Sequence, residues 1–234
     1  MFKKKMCSVF LSATMLFSSA SLVMANENNT NQNNTTAEFS EKIENFKKDE
    51  NMQNLLTNQE LSQEDLEIQS RIISYLEEQY FSKKVWTKED KYDVFSTYVD
   101  AIQIGYNDLA DSIWNYSLSD ENFNIDLSYY SKRNITPLMA ASMSEIEGGN
   151  VEYAIKLIEL GADPEQTTKK NNISPLSLSA VNDNYKVLTA LIVAGANPLK
   201  KDDMGLTTYD YAKKHESQRS TLILLSVMES FINQ

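Results

Sequence analysis

Thr136-Pro137-Leu138-Met139-Ala140-Ala141, followed by Gly149-Asn150-Val151-Glu152-Tyr153-Ala154-Ile155-Lys156-Leu157-Ile158-Glu159-Leu160-Gly161-Ala162-Asp163-Pro164, reads as a tight turn, a helix, a second helix and a glycine stop. Proline just inside a helix start and glycine just past a helix end are the residues those positions favour. The same order returns as Ser174-Pro175-Leu176-Ser177-Leu178-Ser179-Ala180 and then Asp183-Asn184-Tyr185-Lys186-Val187-Leu188-Thr189-Ala190-Leu191-Ile192-Val193-Ala194-Gly195-Ala196-Asn197-Pro198. The chain is therefore built on a repeat, and the repeat sets the fold.

The spacing supports this. Gly161 to Gly195 is 34 residues and Ser174 to Thr207 is 33, whereas Thr136 to Ser174 is 38. The excess lies between Ala141 and Gly149, where Ser142-Met143-Ser144-Glu145-Ile146-Glu147-Gly148 is about four residues longer than its counterpart. Four residues make about one helical turn, so the first helix is expected to lengthen with its buried face in phase. A last unit opens at Gly205-Leu206-Thr207-Thr208-Tyr209-Asp210-Tyr211-Ala212 and closes in Leu222, Leu224, Leu225, Met228 and Phe231.

Upstream, Thr87 and Asp90 have the spacing of a capping box, and the helix they open carries Tyr92, Val94, Phe95, Tyr98, Ala101 and Ile102 before Gly105. A short helix then presents Leu109, Ala110, Ile113 and Trp114, which makes this pair a degenerate copy of the repeat. Ser117 to Asn134, with Phe123, Ile125, Leu127, Tyr129 and Tyr130, predicts an extended hairpin. Ser62 and Asp65 open an earlier helix lined by Leu66, Ile72, Ile73, Leu76 and Tyr80, and Ala37 to Asn58 has a weaker helical pattern through Phe39, Ile43 and Phe46.

The first 25 residues have the layout of an export signal: Lys3, Lys4 and Lys5, an apolar run to Met24, and small residues at Val23-Met24-Ala25. Cleavage after Ala25 is expected, with residues 26–37 as a disordered asparagine-rich leader, 38–91 as an N-terminal helical region and 92–234 as the repeat domain. The single cysteine, Cys7, falls within the signal, so disulfides, thiol catalysis and thiolate metal sites are not expected in the mature chain. Net charge is −11 for the whole chain. Such a balance disfavours nucleic acid and anionic membranes, which need basic surface.

Thr-Pro-Leu at the first helix, Gly-Ala-Asp or Gly-Ala-Asn at the end of the second, and a period near 33 resemble the ankyrin-repeat family. The resemblance covers about Tyr92 to the C-terminus. It implies an all-α ankyrin-repeat solenoid of about four units, helix-turn-helix with hairpin loops, behind an N-terminal helical cap, and the Lys213 to Arg219 run suits a C-terminal cap. Met139, Ser177 and Asp210 depart from the histidine usual after Thr-Pro-Leu, and Thr208 from the proline. Those changes are expected to weaken bonding between neighbours without altering the fold.

No catalytic constellation assembles. His215 is the only histidine and stands among polar residues, while Asp108 with Asp111 and Asp202 with Asp203 fall at caps and turns. No enzyme activity, cofactor or metal is expected. Each hairpin carries a basic pair, Lys132-Arg133, Lys169-Lys170 and Lys200-Lys201. Two accounts fit them: charge that keeps exposed tips soluble, or a partner-binding rim. With Tyr129 and Tyr130 beside the first tip, and Leu178, Asn182 and Tyr211 projected onto the inner helices, they form the candidate binding set.

The expectation is a monomeric, non-enzymatic, periplasmic protein that binds another protein, as an inhibitor or immunity protein or as an envelope stress factor. The alternatives are a secreted effector that binds host proteins and, least supported, an enzyme housed in the N-terminal helical region.

Overall fold

The computed structural model describes Lys48, residues 61–83 and residues 85–232, with the side chains of 229–232 set aside. The signal segment, the asparagine-rich leader and, apart from Lys48, the Ala37 to Asn58 pattern lie outside the described residues. The described chain is all-helical: α1 Gln63–Leu76, continued by a π-helical turn Glu77–Phe81, α2 Lys88–Ile104, α3 Asn107–Ser119, α4 Pro137–Ser142, α5 Val151–Glu159, α6 Pro175–Val181, α7 Tyr185–Val193, α8 Thr208–Lys214 and α9 Gln218–Ile232. None of these helices is long and apolar enough to cross a membrane.

The helices pack in sequential pairs, α2 with α3, α4 with α5, α6 with α7 and α8 with α9. First helices touch in the series α2, α4, α6, α8, and second helices in the series α5, α7, α9. Local chemistry repeats with the pairs. Thr87, Thr136, Ser174 and Thr207 each cap a first helix by accepting the amide three residues on. Pro137 and Pro175 follow two of these caps, where the missing amide costs nothing. Asp210 completes a capping box with Thr207, so one departure from the family pattern is itself a helix-start device.

Asp90 answers Thr87 in the same way and pairs with Lys83 at 2.7 Å. Those hydrogen bonds lower its carboxyl from 3.8 to about 2. A carboxyl depressed in the folded state contributes stability above its unfolded value and loses it as pH falls toward the folded one. The urea midpoint is therefore expected to fall between pH 4 and pH 2, less steeply in Asp90→Asn; equal slopes would remove Asp90 as a cause.

The excess between Ala141 and Gly149 is not an extra helical turn. α4 stops at Ser142, and Met143 to Gly149 form an irregular loop. Ser142 Oγ donates back to the Leu138 carbonyl, a bond that competes with helix continuation. Beyond it, Ser144 Oγ and the Glu145 amide donate to the Gln103 carbonyl at 2.7 and 3.1 Å. The Gly148 carbonyl accepts from the Lys186 and Val187 amides. The loop thus bonds to the unit before it and the unit after it. Ile146 packs on Gly105, where a Cβ would lie 2.4 Å from its Cδ1.

Buried asparagines extend this stitching. Asn150 Nδ2 donates to the Ile102 carbonyl at 2.9 Å, and Asn184 Nδ2 to the carbonyls of Ser142 and Ser144 at 2.9 and 3.0 Å. Between α6 and α8, the Ser177 and Thr208 hydroxyls bond at 3.0 Å where neither expected family residue stands.

At the other end α1 packs on α3. Buried Gln69 accepts the Leu109 amide at 3.2 Å, satisfying one donor at the start of α3, and Tyr106 donates to Asp65. The π turn sets Phe81 against Tyr116 at 3.8 Å, and Trp86 stacks on Phe123 at 4.8 Å. Asp120 accepts from the Trp86 indole at 3.0 Å and the Tyr116 hydroxyl at 2.9 Å.

Candidate partner-binding edge

Between the pairs the chain makes the same excursion three times. Asp126, Asp163 and Asn197 each accept the amide two residues on, at 2.8, 2.8 and 2.9 Å, which turns the backbone outward. Each tip then closes with one backbone bond: Ser131 to Ile135, Thr168 to Ile173 and Asp202 to Leu206. Asn134, Asn171 with Asn172, and Gly205 supply the positive φ these tips need.

The expected extended hairpin over Ser117 to Asn134 is therefore a helix end, two turns and a tip, with no strand. Phe123 and Ile125 are buried against the helices, so this segment is held by side-chain packing and not by a ladder.

Other bonds of the excursions run sideways. Tyr130 donates to the Thr167 carbonyl at 2.6 Å, Gln166 to the Ser128 carbonyl at 2.7 Å, and Lys200 to the Glu165 carbonyl at 2.8 Å. The Asp203 amide donates to the Asn171 carbonyl at 3.0 Å, and Asn172 to the Asp203 carboxylate at 2.8 Å. The three tips are laced into one edge.

The basic pairs divide on this edge. Lys132 binds Asp93 of α2 at 2.5 Å, which raises its pKa, and Arg133 pairs with Asp100 of the same helix. Lys200 binds Glu165 at 2.8 Å, and Lys169 lies 4.5 Å over the Tyr130 ring. Lys170 and Lys201 are exposed and make no ion pair among the described residues. Tyr129, on the first excursion, is 63% exposed.

Leu178 and Tyr211 belong to the core, which takes their side chains out of any open groove. Burial and the hydrogen bond to Asp202 push the Tyr211 hydroxyl up to about 12. Asn182 is exposed and donates weakly to the Met143 carbonyl at 3.4 Å. Leu199 and Met204 are exposed apolar residues on the edge that the basic pairs did not flag. Their signal was an apolar side chain inside the polar run Pro198 to Gly205.

His215 is exposed at the end of α8 with its ring on Tyr211. Asp111 accepts from Tyr153 at 2.8 Å and from Lys156 at 2.5 Å, joining α3 to α5. Burial, with Tyr98 and Asp111 nearby, drives the Tyr153 hydroxyl far above its ordinary range, so it stays a proton donor. Among the described residues no three His, Cys, Asp or Glu converge as a metal site. No family model matches the sequence, and no curated protein matches it.

Proposed function

We propose that the chain is an exported ankyrin-repeat protein of the bacterial envelope that works by binding another protein along the laced edge, without catalysis or cofactor. In this reading α2 to α9 are four repeats, the first of them degenerate, and α1 with its π turn is the N-terminal cap. The serial packing of first and second helices supports the solenoid, and the signal-like first 25 residues support export.

The observation that carries the binding role is the bonding between tips. Tyr130 to Thr167, Gln166 to Ser128 and Lys200 to Glu165 fix neighbouring loops before any partner arrives, which lowers the entropy lost on association. On that fixed edge stand Tyr129, Leu199 and Met204 as apolar contacts, with Lys170 and Lys201 as exposed cations that make no ion pair among the described residues. Lys132, Arg133 and Lys200 serve the edge instead, through their own carboxylates.

The test is recovery of a partner from the cell envelope on the immobilised protein. Tyr129→Ala combined with Lys170→Glu and Lys201→Glu is expected to reduce recovery at least about tenfold, since losing one aromatic anchor alone costs more than about 1 kcal/mol at a typical hot spot. The melting temperature should hold, because all three side chains are exposed. Undiminished recovery would remove the edge as the binding surface.

A further inference from the structure

α1 keeps little of itself in the core. Of its 14 residues only Gln69 and Leu76 are buried, and the π turn that continues it buries none. α5 and α7, each of 9 residues, bury six and seven. Ile72, Ile73, Tyr80 and Phe81 add partly buried contacts, and α1 packs on α3 at one end of the series.

One of the two buried side chains is polar. Gln69 Oε1 accepts the Leu109 amide at 3.2 Å, but its Nε2, equally shut from solvent, meets no acceptor among the described residues. A buried donor left unpaired loses the hydration it has in the open chain, which offsets what the other bond contributes. Two further polar ties are the part-buried bond from Tyr106 to Asp65 at 2.8 Å and that from Tyr116 to the Phe81 carbonyl at 2.9 Å. The second is divided, since the one hydroxyl proton of Tyr116 also faces Asp120 at 2.9 Å.

A firmer anchor lies just beyond the π turn. Trp86 is buried, stacks on Phe123 at 4.8 Å and donates to Asp120 at 3.0 Å, so the chain is fixed again ahead of α2. Before it, Ser82 and Lys83 are exposed, and Val85 is 78% exposed. Lys83 reaches forward to Asp90 at 2.7 Å, which secures the near side of this joint. Rings cross the joint at Phe81 on Tyr116 and, more distantly, at Tyr80 on Trp86, 6.2 Å apart.

We propose that residues 62–81 form an arm that swings off α3 as one unit about this joint while the four helix pairs stay folded, uncovering Leu109 and the Tyr116 ring. The burial carries it. The surface released by the arm is small beside that released by parting α5 from α7, and the free energy of opening follows the apolar surface exposed. Stacked units are held by their neighbours, so an end element with a neighbour on one side can leave without the rest. The closed arm keeps the α3 face covered, and its opening is a step separate from unfolding.

Hydrogen exchange read by mass spectrometry, on protein purified from cells expressing the full chain, tests this. At neutral pH, peptides of α1 should exchange together and at least about 100-fold faster than those of α5 and α7, with a shallower urea dependence because less surface is exposed. Leu188→Ala, in the core of α7, should speed exchange in α5 and α7 at least about 30-fold and leave α1 unchanged, because it weakens only what the opening of the arm leaves folded. If that variant does not fold, Ile192→Val acts on the same core more mildly, by about 2- to 10-fold. Any of three results overturns the proposal: α1 exchanging at the rate of α5 and α7, α1 accelerating with them in the α7 variants, or protection fading gradually from Leu66 to Phe81 as fraying produces.

Discussion

Gly149→Ala is expected to lower the stability of the protein by about 3 kcal/mol, from positive-φ strain and overpacking together. Gly149 has φ +87°, and a Cβ there would lie 2.6 Å from Val187 Cγ2 and 2.9 Å from Asn184 Cβ. Neither neighbour can yield freely, because Val187 and Asn184 are both buried at the start of α7. Gly161 separates the two causes. It has φ +94° but nothing within 4 Å of the added carbon. Gly161→Ala should therefore cost only the backbone part, about 1 kcal/mol. Urea midpoints of the two variants measure the difference, and equal losses would mean that the Gly149 contact relaxes.

Asn184→Ala is expected to cost about 3 kcal/mol, since two buried carbonyls lose their donor and each unpaired group costs about 1–3 kcal/mol. Asn184 makes no side-chain cap to its own helix, so the loss falls on the bonds to Ser142 and Ser144. Asn182, two residues earlier, is the control. Its one long bond is exposed, and Asn182→Ala should change stability by less than about 0.5 kcal/mol. Comparable effects at the two sites would show that the bonds across the Met143 to Gly149 loop contribute little.

That loop marks a limit of reading the sequence. A four-residue excess suits one more helical turn and one more loop equally well by length. The choice was made by the Gln103 carbonyl, about 40 residues upstream, which captures Ser144 and Glu145. The candidate site divides along the same line. Lys132, Arg133 and Lys200 are visibly basic, yet the carboxylates that occupy them are Asp93, Asp100 and Glu165, 33 to 39 residues away in sequence. Leu178 and Tyr211 read as surface by helix projection, but Leu178 is buried where α6 meets its neighbours and Tyr211 is buried with its hydroxyl on Asp202 of the adjoining tip. Asp210 could be named as a departure from the family pattern, and its capping bond to Thr207 is local enough to have been foreseen.

The sequence alone determined where the helices begin and how often the unit recurs, because caps, proline, glycine and apolar spacing act over three to seven residues. It also determined the positions of the tips and the charges they carry. Only the tertiary structure decided which of those charges are paired and that the tips are bonded into one edge. Each of these depends on groups that meet only when one helix pair is stacked on the next.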